Sequence, residues 1–365
     1  MKAFIKIFRF FPPETAHHLA LLSLKILNKV RILKLFFPEN KDFDNPKEYF
    51  NLKFRNTLGV AAGLDKNGDY VDELESLGFG FVELGTVTPK PQEGNQKPRV
   101  FRYLNQQAVV NRLGFNNKGV NYLVSKIKNK KYDAVIGVNI GANKESTNDQ
   151  RIEDYVFCFE KVYKYCDYVT VNISSPNTPK LRKLHNPDEL EKIFKRINEI
   201  KSTNKTEIPV FLKISPDEDE ETILKIINIY ETLRINEIKT INQTDIPVFL
   251  KISPDEGEET ILKIVNIYET LKINGLIVSN TSIDKDILEG CSHDGGISGK
   301  PLFKKSNQLL KKIHELDKDI FLVGVGGVFT KEDYENKITL GASLVQIYTG
   351  FIFEGPAIVK KILSR

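Results

Sequence analysis

From residue 58 onward one unit recurs and restricts how this chain can fold: a short apolar run, a polar or glycine-rich ending, then an amphipathic helical stretch. The endings are "LGVAAGLDKNG" (58–68), "FVELGTVTP" (81–89), "AVIGVNIGANK" (134–144), "YVTVNISSPNTP" (168–179), "PVFLKISPD", "GLIVSNTS" (275–282), "FLVGVGG" (321–327) and "SLVQIYTG" (343–350). Between most of them lie helical stretches such as "NPDELEKIFKRINEI" and "KPLFKKSNQLLKKIHEL". Eight strand–helix units with polar residues clustered after each strand predict an α/β chain folded as a (β/α)8 TIM barrel, its site at the C-terminal ends of the strands. An open doubly wound sheet is disfavoured, because no GxGxxG opens the first helix.

One unit occurs twice. Residues 196–233 and 234–271 align at an offset of 38, identical at 32 of 38 positions. Solenoids need several units to bury a continuous core, so two copies do not make one. They read as a duplicated strand 5/helix 5 unit inside an otherwise complete barrel, nine candidate strands for eight places. One copy is then surplus, free to hang from the bottom face. Lys213 and Lys251 end the two copied strands. A strand-end lysine is ordinarily a solvated end, but in a barrel mouth it is a counter-charge for a phosphate or an anionic cofactor. Spacing leaves the choice between them open, with a slight lean to Lys251.

The first forty residues stand apart. Residues 1–38 carry seven Lys or Arg against the single acid Glu14, an excess larger than the net +5 of the whole chain. A diffuse basic surface for nucleic acid is therefore disfavoured. Apolar residues at Leu19, Leu22, Ile26, Leu27, Val30 and Leu33 fall at near-helical spacing and predict two short helices. The longest stretch free of formal charge, Thr15 to Leu24, is ten residues, about half of what a membrane-spanning helix needs. Two readings stay open and are compatible: a hairpin packed on the body of the protein, or one lying in the interface of an anionic membrane. Residues 1–40 are thus expected to form an amphipathic hairpin and residues 41–365 the barrel.

Cys158, Cys166 and Cys291 fall at no CxxC or metal-ligand spacing, so neither a disulfide framework nor a metal site is expected, and a reducing compartment fits best. "GVGG" (324–327) and "IYTG" (347–350) offer backbone N–H groups where Cβ atoms would block a phosphate, as loops after strands 7 and 8 do in many barrels. "SSPNTP" by itself reads more readily as a turn with capping hydroxyls than as a catalytic segment.

With "AAGLDKNG", "ELGTVTPKPQEGNQKPRVFR", "NRLGFNNKG", "VNIGANK", "NISSPNTP", "KISPD", "SNTS", "GGISGKPL", "GVGG" and "LVQIYTGFIFEGP" in order, the chain resembles the dihydroorotate dehydrogenases, specifically the membrane-associated, quinone-reducing class. The resemblance covers nearly the whole chain outside the extra block, which nothing in the family predicts. It implies FMN at the barrel mouth and oxidation of dihydroorotate to orotate, the fourth step of pyrimidine synthesis. A base removes a proton from C5 while hydride passes from C6 to flavin N5, and a quinone takes the electrons. Ser175 matches the family's base, where the cytosolic classes carry a cysteine. Lys66, Asn111, Arg112, Leu113, Gly114, Phe115, Asn172, Asn177, Asn280 and Thr281 match substrate contacts. Ala62, Gly63, Leu64, Asp65, Lys66, Thr86, Asn139, Asn172 and Ser279 match the flavin ring and ribityl positions, Lys251 or Lys213 the lysine at N1 and O2, and Gly299, Gly327, Tyr348 and Thr349 the phosphate end.

His17, Arg102 and Tyr348 correspond to the quinone tunnel. The resemblance further implies a monomer, peripheral on the cytoplasmic face of the inner membrane if the source is bacterial, drawing on the membrane quinone pool. Alternatives are a cytosolic-type enzyme with another acceptor, a non-redox phosphate-binding barrel such as an isomerase or a Schiff-base lyase using Lys251, and an inactive membrane-associated remnant whose barrel the duplication has broken.

Overall fold

The computed structural model of the chain describes residues 7–37, 43–173, 187–214, 249–271 and 274–364. Ser175, Asn177 and the expected first-copy helix lie outside them. Strands β1 (Lys47–Tyr49) and β2 (Leu52–Phe54) pair antiparallel. Their two-residue turn, Phe50 and Asn51, has φ of 54° and 60°, the sign that hairpin turns of this length favour.

The barrel wall follows, parallel throughout and in chain order: β3 (Leu58–Val60), β4 (Phe81–Val87), β7 (Val135–Ile140), β8 (Tyr168–Asn172), β9 (Val210–Ile214), β10 (Phe249–Ile252), β11 (Gly275–Val278), β13 (Leu322–Val325) and β14 (Ala342–Ile347). β14 pairs back to β3 and closes the ring. Between them, β5 (Val100–Tyr103), β6 (Ala108–Asn111) and β12 (Gly296–Gly299) form a separate antiparallel sheet over the mouth. Every residue of β3, β4, β7 and β8 is buried, as expected of parallel strands covered on both faces.

The barrel is the expected one, with a departure in strand number. Nine strands close the ring, and neither copy of the repeat is spare: β9 comes from the first and β10 from the second. β9 pairs with β8 on one side and β10 on the other, and β10 pairs in turn with β11. The physical reason is backbone accounting. A strand expelled from the wall would leave its N–H and C=O ladder and its apolar side chains without partners, whereas insertion satisfies both copies. Lys213 is level with Phe249 rather than with Lys251. The second copy is therefore displaced by two residues, so both lysines keep the inward parity of the pleat and Lys251 stands further toward the mouth.

Inside the floor, small and large residues interlock. A Cβ on Gly59 would fall 2.3 Å from the Phe81 ring, and one on Gly137 2.0 Å from the Tyr168 ring. The β1–β2 hairpin seals this end, Phe50 meeting Phe211, Phe249 and Phe321 edge-on at centroid distances of 6.1, 5.4 and 5.0 Å. The repeat thus brings its own plug, one phenylalanine per copy.

At the other end sits the terminal hairpin, helices Pro13–Lys29 and Ile32–Phe36. Ala16, Leu21, Leu24 and Leu33 are buried against the body. Buried Arg99 holds Glu14 at 2.8 Å, and Lys25 donates to the Asp69 carbonyl. The outer side leaves Phe10 90% and Leu35 79% exposed, with Ile26, Val30 and Phe36 each more than half exposed. No helix among the described residues is long and apolar enough to cross a membrane.

Candidate active site

Polar residues enter the barrel one layer above the aromatic floor. Glu83, in the middle of the otherwise apolar run "FVELGTV", shares inward parity with Phe81 and is 3% exposed. Its carboxylate accepts from Asn139 Nδ2 at 2.7 Å and Gln346 Nε2 at 3.1 Å, and faces Lys213 Nζ at 3.8 Å. Above it, Thr86 Oγ1 donates to Asn139 Oδ1 at 2.6 Å, and Asn172 Nδ2 contacts Thr86 Oγ1 and Asn139 Oδ1, each at 3.1 Å. Tyr155 OH holds the Asn172 carbonyl at 2.9 Å. Each buried polar atom of this lattice has a partner, which fixes the ends of β4, β7 and β8.

A cleft opens on this layer. Among the residues matched in the sequence it brings together Ala62, Gly63, Lys66, Thr86, Asn111, Leu113, Gly114, Phe115, Asn172, Lys213, Lys251, Ser279, Asn280, Thr281, Gly299, Gly327, Tyr348 and Thr349. Four of the described residues matched to substrate or flavin do not line it. Asn139 lies beneath, holding Asn172. Arg112 turns away, donating to the Pro98 carbonyl and lying over the Phe101 ring. Leu64 and Asp65 form a wall of a neighbouring cavity. Asp65 accepts N–H bonds from Asn67, Asp69 and Tyr70, yet burial outweighs them and raises its pKa to about 6.

Three lysines line the cleft. Lys251 is part-exposed to it while Lys213 is 6% exposed and rests on Glu83. Burial, and then the charge of Lys213, push Lys251 well below the usual lysine range. Lys66 Nζ donates to the Gly63 carbonyl at 2.9 Å; burial lowers its pKa to about 8. The far lobe is glycine-lined. Gly327 has φ of +74°, and a Cβ there would lie 2.7 Å from the Phe303 backbone nitrogen, so the loop rests on the first turn of helix Leu302–Leu316. Thr349 Oγ1 donates to Ser298 Oγ at 2.8 Å beside it.

A second cavity, about 580 Å³, runs between the terminal hairpin and the barrel, within the size range of small-molecule sites. It shares Lys66, Asn111, Leu113 and Tyr348 with the cleft as a common wall. His17, Arg102 and Tyr348 all border it. His17 Nε2 donates to the Leu64 carbonyl at 3.0 Å. Burial, and then the charge of Lys66, lower its pKa to about 4 and keep the ring neutral. Arg102 donates to the Phe8 carbonyl at 3.2 Å and to the Phe11 carbonyl, tying down the start of the hairpin. Tyr348 OH donates to the Gly63 carbonyl at 3.3 Å, and burial raises its pKa to about 12.

Sequence reasoning missed Glu83 and Gln346. The signal was present: a Glu and a Gln at inward positions of apolar strands, each requiring a buried partner.

Comparison with known proteins agrees with this geometry. The family profile described as dihydroorotate dehydrogenase matches residues 46–246 and 240–365. The two matches overlap across residues 240–246, inside the repeat. A protein of Coxiella burnetii (strain Dugway 5J108-111) named dihydroorotate dehydrogenase (quinone) is 41% identical over 96% of this chain and 92% of its own length. One of Mannheimia succiniciproducens with the same name is 39% identical over 96% and 95%. Among solved structures, DHODH of Eimeria tenella in complex with ferulenol superposes with a TM-score of 0.70 at 29% identity, covering 96% of this chain and 89% of that one.

Proposed function

This chain belongs to the dihydroorotate dehydrogenase family, and we propose that Ser175, in the segment after β8, is the base of its reaction. The enzyme oxidises dihydroorotate to orotate in pyrimidine biosynthesis, with FMN as cofactor and a quinone as final acceptor. The observation that carries the reading is the cleft in which the amides of Asn111, Asn172 and Asn280 converge with three lysines, Lys66, Lys213 and Lys251, beside a glycine-lined lobe.

Orotate is a planar ring of alternating N–H and C=O groups with a carboxylate, and primary amides, each donor and acceptor, can pair with it bidentately. Lys66 supplies positive charge to the carboxylate side. The residues present also fit FMN: the lobe at Gly299 and Gly327 suits a phosphate, and Lys251 suits the N1–O2 edge of the ring. When bound, FMN supplies the hydride acceptor and the electron route to the quinone. Ser175 withdraws the C5 proton through its hydroxyl and passes it to water or a hydrogen-bonded neighbour as hydride leaves C6. The buried lattice from Glu83 to Asn172 holds the end of β8 for both partners.

Of the twin lysines, Lys251 is assigned to the flavin, because Lys213 already has the Glu83 carboxylate and Lys251 is part-exposed to the cleft. Lys251→Met is expected to weaken FMN binding about tenfold, the equivalent of one charge-assisted contact, with Lys213→Met affecting stability more than flavin affinity. Fluorescence titration of the apoprotein and urea unfolding distinguish them; the reverse pattern transfers the role to Lys213.

His17, Arg102 and Tyr348 frame the quinone site in the second cavity. The exposed apolar side of the hairpin, with Arg9, Lys29 and Arg31 nearby, seats it in an anionic membrane interface from which a lipid-soluble quinone enters. His17→Ala is expected to raise the KM for a ubiquinone analogue about tenfold, through loss of the buried ring that walls the cavity and of its anchor to the Leu64 carbonyl. Anaerobic flavin reduction by dihydroorotate stays unchanged; an equal slowing of that half-reaction removes His17 from the quinone side.

The decisive experiment is simple. The purified protein is expected to be yellow and to reduce a ubiquinone analogue with dihydroorotate. Turnover only with fumarate or NAD rejects the quinone assignment, and a colourless protein indifferent to added FMN rejects the whole reading.

A further inference from the structure

Lys337 is a fully buried lysine without a carboxylate contact. It lies on the helix Lys331–Thr339, whose start is fixed by a capping box in which Asp333 N donates to Thr330 Oγ1 and Thr330 N to Asp333 Oδ2. Its side chain is 0% exposed. The ammonium donates to Ser306 Oγ at 3.0 Å and to Asn307 Oδ1 at 2.8 Å, both on the helix Leu302–Leu316, and lies 5.7 Å from the centroid of the Phe303 ring. No acid lies within ion-pairing distance of it among the described residues. Isolated buried charge costs several kcal/mol unless an anion compensates it, so the protonated form of an amine held by neutral groups gains from an anion brought close from outside the chain.

The geometry says where that partner sits. Ser306, which accepts from Lys337, has the Phe303 and Gly326 carbonyls, each at 3.2 Å, as acceptors for its single proton and so bridges its own helix to the loop. A Cβ on Gly324 would fall 3.0 Å from the Lys337 side chain, and one on Gly326 3.0 Å from Ser306 Oγ. Lys337 therefore stands directly behind the Gly324–Gly327 turn, whose front lines the glycine lobe of the cleft. Gly326 and Gly327 place no side chain between Ser306 and the lobe, and Val325 alone in this turn carries one, so charge behind the loop acts on an anion in front across little more than backbone.

We propose that Lys337 is the buried counter-charge of the FMN phosphate, a positioning residue that acts through Ser306 and the Gly326–Gly327 loop without touching the ligand. The inference rests on reading that lobe as the phosphate end of the flavin site. It explains why a lysine is kept in an enclosed, carboxylate-free pocket. Burial lowers its pKa to about 7, with Asp333 opposing, so an arriving dianion would favour the protonated form.

The test compares two ligands that differ only in the phosphate. Apoprotein is titrated with FMN and with riboflavin, following flavin fluorescence, for wild type and Lys337→Met. Loss of the charge is expected to weaken FMN binding about tenfold or more and to leave riboflavin affinity within about twofold. Equal losses for both ligands mean a purely structural role and overturn the proposal, as does no loss for either. Should the variant not fold, calorimetry of the wild type at pH 8 in buffers of different ionisation enthalpy decides: FMN is expected to take up more protons than riboflavin, by up to about one per site. Around the ammonium the neutral neighbours are Ser306, Asn307 and Phe303, and Asp333 is the acid acting on it. Equal proton uptake for the two ligands overturns the inference, whereas wild-type protein that binds neither flavin overturns the FMN reading instead.

Discussion

Replacing Ser175 with alanine is expected to lower the rate of flavin reduction by dihydroorotate about 10²- to 10⁴-fold while the protein remains yellow. A serine hydroxyl is a weak base, so its usefulness depends on exact placement and on somewhere for the proton to go. Placement comes from the strand before it: Asn172 is tied through its side chain to Thr86 and Asn139 and through its carbonyl to Tyr155. Ser175→Cys keeps a proton acceptor of lower pKa, and its pH–rate profile should move to lower pH relative to wild type. Anaerobic stopped-flow reduction separates these effects from quinone turnover. Normal reduction by the alanine variant would falsify the base assignment.

The largest effect on stability belongs to Glu83. Its carboxylate accepts two amide hydrogen bonds and faces the buried Lys213 ammonium. Glu83→Ala leaves that cation, and the amides of Asn139 and Gln346, without their acceptor in the barrel interior. Removing one member of a buried charge pair typically costs about 3–5 kcal/mol. Urea unfolding with saturating FMN should read a loss of that order, and Glu83→Gln combined with Lys213→Met should recover most of it. A single variant as stable as wild type would mean that the interior is wet enough to solvate Lys213 and that the lattice does not depend on the pair.

Much of the site was legible because its signals are local. Strand endings such as "VNIGANK" and "GVGG" combine a buried run with polar or glycine residues, and the barrel topology then gathers them at one mouth. Lys66 and Asn280 follow such endings, whereas their roles, and Asn111 of the mouth sheet altogether, were named from the family resemblance. Glu83 was legible but unread: the parity that puts Phe81 on the inner face also puts Glu83 there. Arg112 was not legible in this way. It sits in a matched motif, yet its guanidinium satisfies the Pro98 carbonyl and the Phe101 ring, contacts that depend on how a distant sheet folds back.

Alone, the amino-acid order determined the parallel barrel, its polar mouth and the hairpin with apolar residues to spare, since each follows from periodicity and from residue chemistry within a few positions. The fate of the repeat was decided only in three dimensions. The two copies carry the same "VFLKISPD", so nothing in either distinguishes wall from surplus. Closing the ring decides it, because a ladder is satisfied only when a strand has neighbours on both sides. The same closure sets the two lysines apart: β9 brings Lys213 to Glu83 of β4, and the two-residue displacement of β10 carries Lys251 up into the cleft.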